Sequence, residues 1–422
     1  MLPPFNQNQF SSAFTHLRPW VVRRLVPVLA AACLSSLAPV VAAGTDTALP
    51  STGAAALAKV RTPGIKSRAK NKFYDRQFDL SGLPEYRPLQ QVSGTLRQWG
   101  NNYLKDSGLI GVWEKAFRQF HPTIRFEDKL VSSAVAFPGL ISGAADLAPM
   151  GRQASWDELR SFERERADAS NAGSCVEVLE IIVATGSFDV RGWTFALGVF
   201  VHKDNPISQL TMDQLDGIFG AERSGGWNGL TWDTSVARGP EKNIRTWGQL
   251  GLTGEWADKP INVYGYNFKC HFTDEFDRKV LKGSGKWNER LKIFANAAGL
   301  KPGGTLTGGG ELMMSALSND RYGIAYTGMP FLTPQTKSVD LAAQTGGPYI
   351  GLTLENVQNR SFPLARGVYY YLKREKNRPV DPKVKEFLRY LLSREGQDAI
   401  QRDAKYLPLT ADAAREQLKK LE

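Results

Sequence analysis

Cys270 and His271 are adjacent residues whose types suggest covalent chemistry, and their adjacency argues against it. Consecutive residues seldom aim both side chains at one point, so a thiolate–imidazole dyad is not expected there. The chain has no Gly-x-Ser-x-Gly elbow, no paired-histidine helix motif and no nucleotide loop. His16, His121, His202 and His271 stand apart from one another and from the cysteines, so no metal-ligand spacing is present. Gly308-Gly309-Gly310, ahead of Glu311, has backbone able to cradle an anion, but no Lys-Ser/Thr pair follows and the stretch reads as a turn. Asp146 is expected to accept backbone N–H groups at a strand end. Arg152 is expected to pair with Asp157 or Glu158, either in a pocket or on the surface. Trp227, Trp232, Trp247 and Trp256 could stack on a sugar or base, and packing that anchors loops is the preferred reading. These residues favour binding over bond breaking.

The elements that would position them alternate in type. Thr95–Trp99 reads as a strand, and Ile110, Trp113, Phe117 and Phe120 form a helical stripe after it. Ile124–Glu127 and Asp146–Met150 read as further strands, and Ser155 with Glu158 makes a capping box. Leu179–Thr185 and Phe195–Val201 are β-branched apolar runs suited to fully buried strands. Thr211 with Gln214 opens another helix, which Gly220 can end. Ile261–Gly265 and Tyr322–Tyr326 read as strands. Thr273 is expected to cap a helix with Asp274 and Glu275 in its first turn. Asp381-Pro382 starts a helix whose stripe is Val384, Phe387, Leu388 and Leu391. The β–α alternation implies an α/β fold with parallel sheets and helices on both faces. Ligands in such sheets sit beyond the carboxyl ends of the strands, beside helix N-termini.

The flanks narrow the setting. Residues 1–43 read as an export signal: Arg23 and Arg24 precede the apolar run Leu25–Val41, and Val41-Ala42-Ala43 offers a cleavage site. An uncleaved anchor and a lipid attachment at Cys33 are the alternatives. Residues 44–91 read as a flexible, low-complexity segment, in which Phe73, Tyr74, Phe78, Leu80 and Tyr86 could dock onto the body. About 330 residues remain, enough for two lobes with their own cores. The 422-residue chain carries a net charge of +11, and residues 1–43 hold three Arg and no acid, which leaves about +8. The basic residues are scattered, with no aromatic interleaving, which excludes a nucleic-acid surface. Cys175 and Cys270 are the cysteines beyond the signal, and sequence leaves their pairing open.

The order "FPLAR…YYYL…FLRYLLSREGQDAI…YLPL" over Ser361–Leu409 resembles the end of the phosphate-type solute-binding proteins of ATP-driven importers. "GAADLAPMGR" (Gly143–Arg152) is similar to that family's strand and turn. "FVHKDNPISQLTMDQLDGIFG" (Phe200–Gly220) resembles its crossover into a second lobe. Trp227-Asn228 and "YGIAYTG" (Tyr322–Gly328) continue the resemblance. It covers Ser93–Leu409 and implies a two-lobed periplasmic binding-protein fold, each lobe a mainly parallel sheet flanked by helices. The two hinge crossings should lie near Gly186–Phe195 and Asn359–Phe362. The implied division is residues 92–190 plus 360–415 for one lobe and 191–359 for the other.

The resemblance also implies a site. Asn101, Asn102 and Tyr103 fall at the first helix start, Ser132 and Ser133 at the second, and Gly151 and Arg152 at a strand end. Tyr266, Asn267, Cys270, His271 and Phe272 fall where the family places an Arg and a Ser-Gly-Thr turn. Tyr266 replaces that Arg and Cys270-His271-Phe272 replace Ser-Gly-Thr, so a bulkier, more aromatic and amide-rich cleft is expected. The implied protein is a periplasmic monomer without cofactor or catalysis. It would clamp phosphate or another small anion or polar solute by hinge closure and deliver it to a membrane permease. A ligand-silent envelope scaffold and a periplasmic hydrolase are the alternatives.

Overall fold

The strand Gly367–Glu375 alternates between two cores. Val368, Tyr370 and Leu372 join the large apolar cluster, while Tyr369 and Tyr371 join a smaller one with Phe137, Leu140, Met150 and Phe162. Successive strand side chains point to opposite faces, so a strand apolar at every position is one covered on both sides.

The computed structural model describes residues 73–168, 176–191, 193–295 and 308–422. The expected export signal, the segment 44–72 and Cys175 lie outside these. The strands are β1 (Gly94–Gly100), β2 (Ile124–Leu130), β3 (Ala148–Met150), β4 (Val176–Thr185), β5 (Gly198–His202), β6 (Gln209–Thr211), β7 (Gly226–Asn228) and β8 (Thr231–Asp233). They continue with β9 (Asn262–Tyr266), β10 (Lys292–Phe294), β11 (Gly323–Thr327), β12 (Thr336–Ser338), β13 (Asp340–Ala342) and β14 (Gly367–Glu375). The helices are α1 (Asn102–Ser107), α2 (Leu109–Phe120), α3 (Ala136–Ile141), α4 (Trp156–Asp168), α5 (Met212–Phe219) and α6 (His271–Lys279). After them come α7 (Gly309–Leu317), α8 (Leu354–Gln358), α9 (Pro382–Leu391), α10 (Arg394–Asp403) and α11 (Ala411–Lys419).

Two sheet systems result. β1 pairs parallel with β2, and a parallel bridge from Gln98 to Leu147 brings the run into β3 alongside them. β3, β14 and β4 form a three-stranded sheet in which β14 is central. The second system has the order β10-β9-β11-β5-β12. The chain passes from β4 to β5 through residues 186–197 and returns from α8 to β14 through 359–366, at the two expected crossings.

The α/β, two-lobed class holds, with one correction in detail. The sheets are mixed rather than mainly parallel: β14 runs antiparallel to β3 and β4, and β5 runs antiparallel to β11 and β12. Handed β–α–β crossovers enforce parallel pairing only between strands joined within one sheet. β5 and β14 each enter from the other sheet, so nothing in the alternation sets their direction.

Local signals account for most helix ends. Thr211 and Gln214 form the reciprocal capping box of α5, Asp381 caps α9 with Pro382 at its first position, and Ser155 and Glu158 cap α4 reciprocally. The apolar stripe of α9 is buried along its whole length. Residues 73–91 are packed rather than loose. Tyr74, Leu83 and Tyr86 are buried, and the Tyr86 hydroxyl donates to Glu386 Oε2 at 2.8 Å and lies 2.7 Å from His121 Nε2. No helix among the described residues is long and apolar enough to cross a membrane.

Candidate functional site

Three strand ends set one wall of a cleft. β1 ends into Asn101, whose side chain accepts the Tyr103 N–H and starts α1. β2 ends into Ser132, whose hydroxyl accepts the Ala134 N–H and starts the turn Ser133–Val135 leading to α3. β3 ends into Gly151, whose N–H donates to Ser133 Oγ at 3.3 Å and whose carbonyl accepts from Thr194 Oγ1 at 3.1 Å. A Cβ on Gly151 would come within 2.9 Å of Asn101 Nδ2 and 3.0 Å of Thr194 Oγ1, so a side chain there would push these two groups aside. This is the carboxyl edge at which open α/β sheets bind ligands.

The facing wall is built on β9, α6 and α7. Tyr266 closes β9, His271 and Phe272 open α6, and Gly308–Gly310 open α7. Both helix N-termini turn the positive end of the helix dipole toward this wall. Gly310 is pressed against this wall: a Cβ there would meet the Phe331 ring and the Tyr266 hydroxyl, each at 2.7 Å. Together the walls and the crossings line an open cleft of about 630 Å³.

Most residues named from the resemblance come together here. Asn101, Asn102, Tyr103, Ser132, Ser133, Gly151, Arg152, Tyr266, His271 and Phe272 all line the cleft. Asn267 and Cys270 do not. The Asn267 N–H donates to the Phe294 carbonyl, and its own carbonyl accepts from Cys270 N and Thr273 Oγ1. Cys270 is the residue preceding α6, and burial pushes its thiol up, the opposite of what a nucleophile needs. The helix therefore begins at His271, and Thr273, expected as its cap, lies inside it with its hydroxyl turned back to the Tyr266 and Asn267 carbonyls.

Residues outside the set implied by the resemblance also reach the cleft. Gly308–Gly310 line it, so the triple glycine opens a helix at the wall rather than serving only as a turn. Arg191, Thr194 and Phe195 come from the first crossing and Arg366 from the second. Arg366 had a visible signal, an Arg ahead of a strongly apolar strand, a position that demands a partner.

Each guanidinium at the cleft already has a carboxylate. Arg152 makes a two-pronged pair with Glu158 at 2.7 and 2.7 Å, the partner expected from spacing. Arg191 bonds Glu311 at 2.8 Å. Arg366 is fully buried and bonds Glu275 at 2.8 Å, with further contacts to the Phe195 and Gly151 carbonyls. Burial penalises the Glu275 carboxylate, but Arg366 and then Lys279 outweigh that penalty and hold it below the usual range. Desolvation between the walls, then Arg366, lowers the His271 imidazole from its ordinary value, while its surface stays exposed to the cleft. No Asp or Glu is among the described residues lining the cleft. The Tyr266 hydroxyl is 2.6 Å from Thr327 Oγ1 and turned into the core, which leaves its ring as the cleft-facing part.

Asp146 accepts the Arg97 N–H at 2.9 Å and pairs with its guanidinium, as a strand-end acceptor should. Of the tryptophans, Trp247 and Trp256 are buried, and Trp247 donates to the Tyr322 carbonyl. Trp227 and Trp232 lie on the surface hairpin β7–β8.

The chain matches the PBP superfamily domain over residues 170–395. The phosphate-binding protein PstS of Pseudomonas aeruginosa is 31% identical over 340 residues, covering 80% of this chain and 90% of that protein. Protein SphX of Synechococcus elongatus is 22% identical over 280 residues, covering 66% of this chain and 67% of its own length. Among solved structures, PstS from Borrelia burgdorferi overlays with a TM-score of 0.45 at 13% identity, over 75% of this chain and all of that one (100%).

Proposed function

From the membership of this chain in the PBP superfamily and, within it, in the family of the PstS phosphate-binding proteins, we propose that it is the solute-binding component of an ABC importer that captures phosphate between two lobes. The observation that carries this reading is the convergence of three strand ends and the N-termini of α6 and α7 on one cleft whose lining has no acidic residue among those described. Backbone N–H groups at helix starts are the donors a dehydrated oxyanion requires, since burying its charge unpaired is costly.

In this reading Asn101, Asn102, Ser132, Ser133, Gly151 and Arg152 hold the anion from one lobe, residues 92–190 plus 360–415. His271 and Phe272 close on it from residues 191–359. Tyr103 and Tyr266 shape the rim, and Asn267 and Cys270 support the α6 start from behind. A solute touching both walls stabilises the closed form by its contacts with the second wall, and the closed monomer is offered to a membrane permease. Export by residues 1–43 would place the protein in the periplasm.

Differential scanning fluorimetry with inorganic phosphate tests this. A ligand present at about 100 times its Kd adds about 2.7 kcal/mol to the folded state, which raises Tm by a few degrees. A flat response up to millimolar phosphate would remove the reading.

A further inference from the structure

The cleft offers more apolar surface than an inorganic anion can use. Phe195, Tyr266, Phe272 and Phe331 form a connected strip of rings: Phe195 lies 4.8 Å from Phe272 and 5.7 Å from Phe331, and Tyr266 lies 5.0 Å from Phe272. Phe272 and Phe331 are half-buried, with ring area open to the cleft, and Tyr103 stands on the opposite wall. Each open ring has a guanidinium beside it: Arg366 is 4.9 Å from the Phe272 centroid and Arg191 is 4.6 Å from that of Phe331. Those guanidiniums are engaged by Glu275 and Glu311. A bare dianion would draw on the helix starts, the Asn101 and Asn102 amides, the Ser132 and Ser133 hydroxyls and Arg152, and would leave the rings wet. The cleft space of about 630 Å³ is in the range of organic-ligand sites, far beyond one phosphorus and four oxygens.

We propose that the cleft reads an organic substituent together with a phosphoryl group, so that its preferred ligands are phosphate monoesters or phosphonates bearing a planar apolar group. The phosphoryl oxygens meet the Asn101, Ser132–Ser133 and α6 ends, and the substituent lies against Phe272 and Phe331. This inference rests on the phosphate-binding reading and specifies its ligand class.

Isothermal titration of the full chain with inorganic phosphate and with phenyl phosphate decides it. Burying one aromatic ring against Phe272 and Phe331 should make phenyl phosphate bind about tenfold more tightly than inorganic phosphate, or better. In Phe331→Leu and Phe272→Leu the ratio of the two affinities should fall toward one, and the two variants guard against either failing to fold. Inorganic phosphate binding as tightly as phenyl phosphate to the unaltered protein overturns the inference and leaves the phosphate reading standing. Binding of neither overturns both.

Discussion

Arg366 and Glu275 show how a charge can sit at a cleft wall without being available to a solute. Their side chains are 0% and 2% exposed, and the pair spans the two sheet systems, Arg366 preceding β14 and Glu275 lying in α6. A buried pair adds little net stability, but removing one partner strands a charge that water cannot reach. Glu275→Gln should therefore lower stability at pH 7 by about 3–5 kcal/mol, read as a fall in the urea midpoint. Because the carboxyl is held below its ordinary value in the folded protein, its contribution is complete above the unfolded value of about 4.3 and is lost as pH falls through the depressed folded value. The gap between the two proteins should thus narrow in acid, and a gap constant down to pH 3 would contradict the assignment. At this scale the sequence was informative wherever a residue ends a strand or starts a helix, as with Asn101, Ser132 and Arg152. Asn267 and Cys270 stay out of the cleft lining because the backbone after β9 is tied down locally, by the Cys270 N–H and Thr273 Oγ1 to the Asn267 carbonyl, and to β10, by the Asn267 N–H to the Phe294 carbonyl.

Capping boxes and apolar stripes made α4, α5 and α9 legible in the chain's own letters, because their signals lie within one or two turns. The segment 73–91 shows the opposite case. It has no periodicity, yet it is held by long-range bonds: Phe78 N–H to Gln401, Tyr86 N–H to Glu395, Leu89 N–H to Glu386, and the Arg394 N–H to the Pro84 carbonyl. Its anchor is Tyr86, whose ring packs edge-on against Phe120 and Tyr390 while its hydroxyl joins His121 and Glu386. Burial holds the His121 imidazole below its ordinary value, so its Nε2 depends on that hydroxyl for a partner. Tyr86→Phe keeps the ring and strands the buried His121 Nε2, while Glu386 keeps Arg389 and the Leu89 N–H, and should cost about 1–3 kcal/mol in urea unfolding. An unchanged midpoint would mean that the ring alone docks the segment.

Across the molecule, the crossings through residues 186–197 and 359–366 are the only backbone links between the sheet systems among the described residues, and side chains supply the rest. Trp156 at the start of α4 lies 5.2 Å from Trp227 of the β7–β8 hairpin, and Arg278 of α6 donates to the Ala154 carbonyl at 2.6 Å. These contacts join the two walls of the cleft and would be lost on opening. Removing the ring in Trp227→Ala takes stabilisation from the closed form alone, so small-angle scattering should give a larger radius of gyration without ligand than the unaltered protein shows. Saturating phosphate should restore compaction at the cost of weaker apparent affinity, since closure must then be driven by the solute. Identical profiles for both proteins, with and without phosphate, would remove hinge closure from the account.

What the sequence determined by itself were the features written in neighbouring residues: the starts of α4, α5 and α9, the buried apolar runs of β4 and β5, and the run of motifs that implies two lobes. Only the tertiary structure decided which way β5 and β14 run, that residues 73–91 are docked, and that Arg191 and Arg366 reach the cleft already neutralised. Those outcomes depend on partners far along the chain, as Arg191 with Glu311 and Tyr86 with Glu386 show. Spacing along a chain carries the geometry of one or two turns, while pairing across a fold is fixed by which surfaces exclude water together.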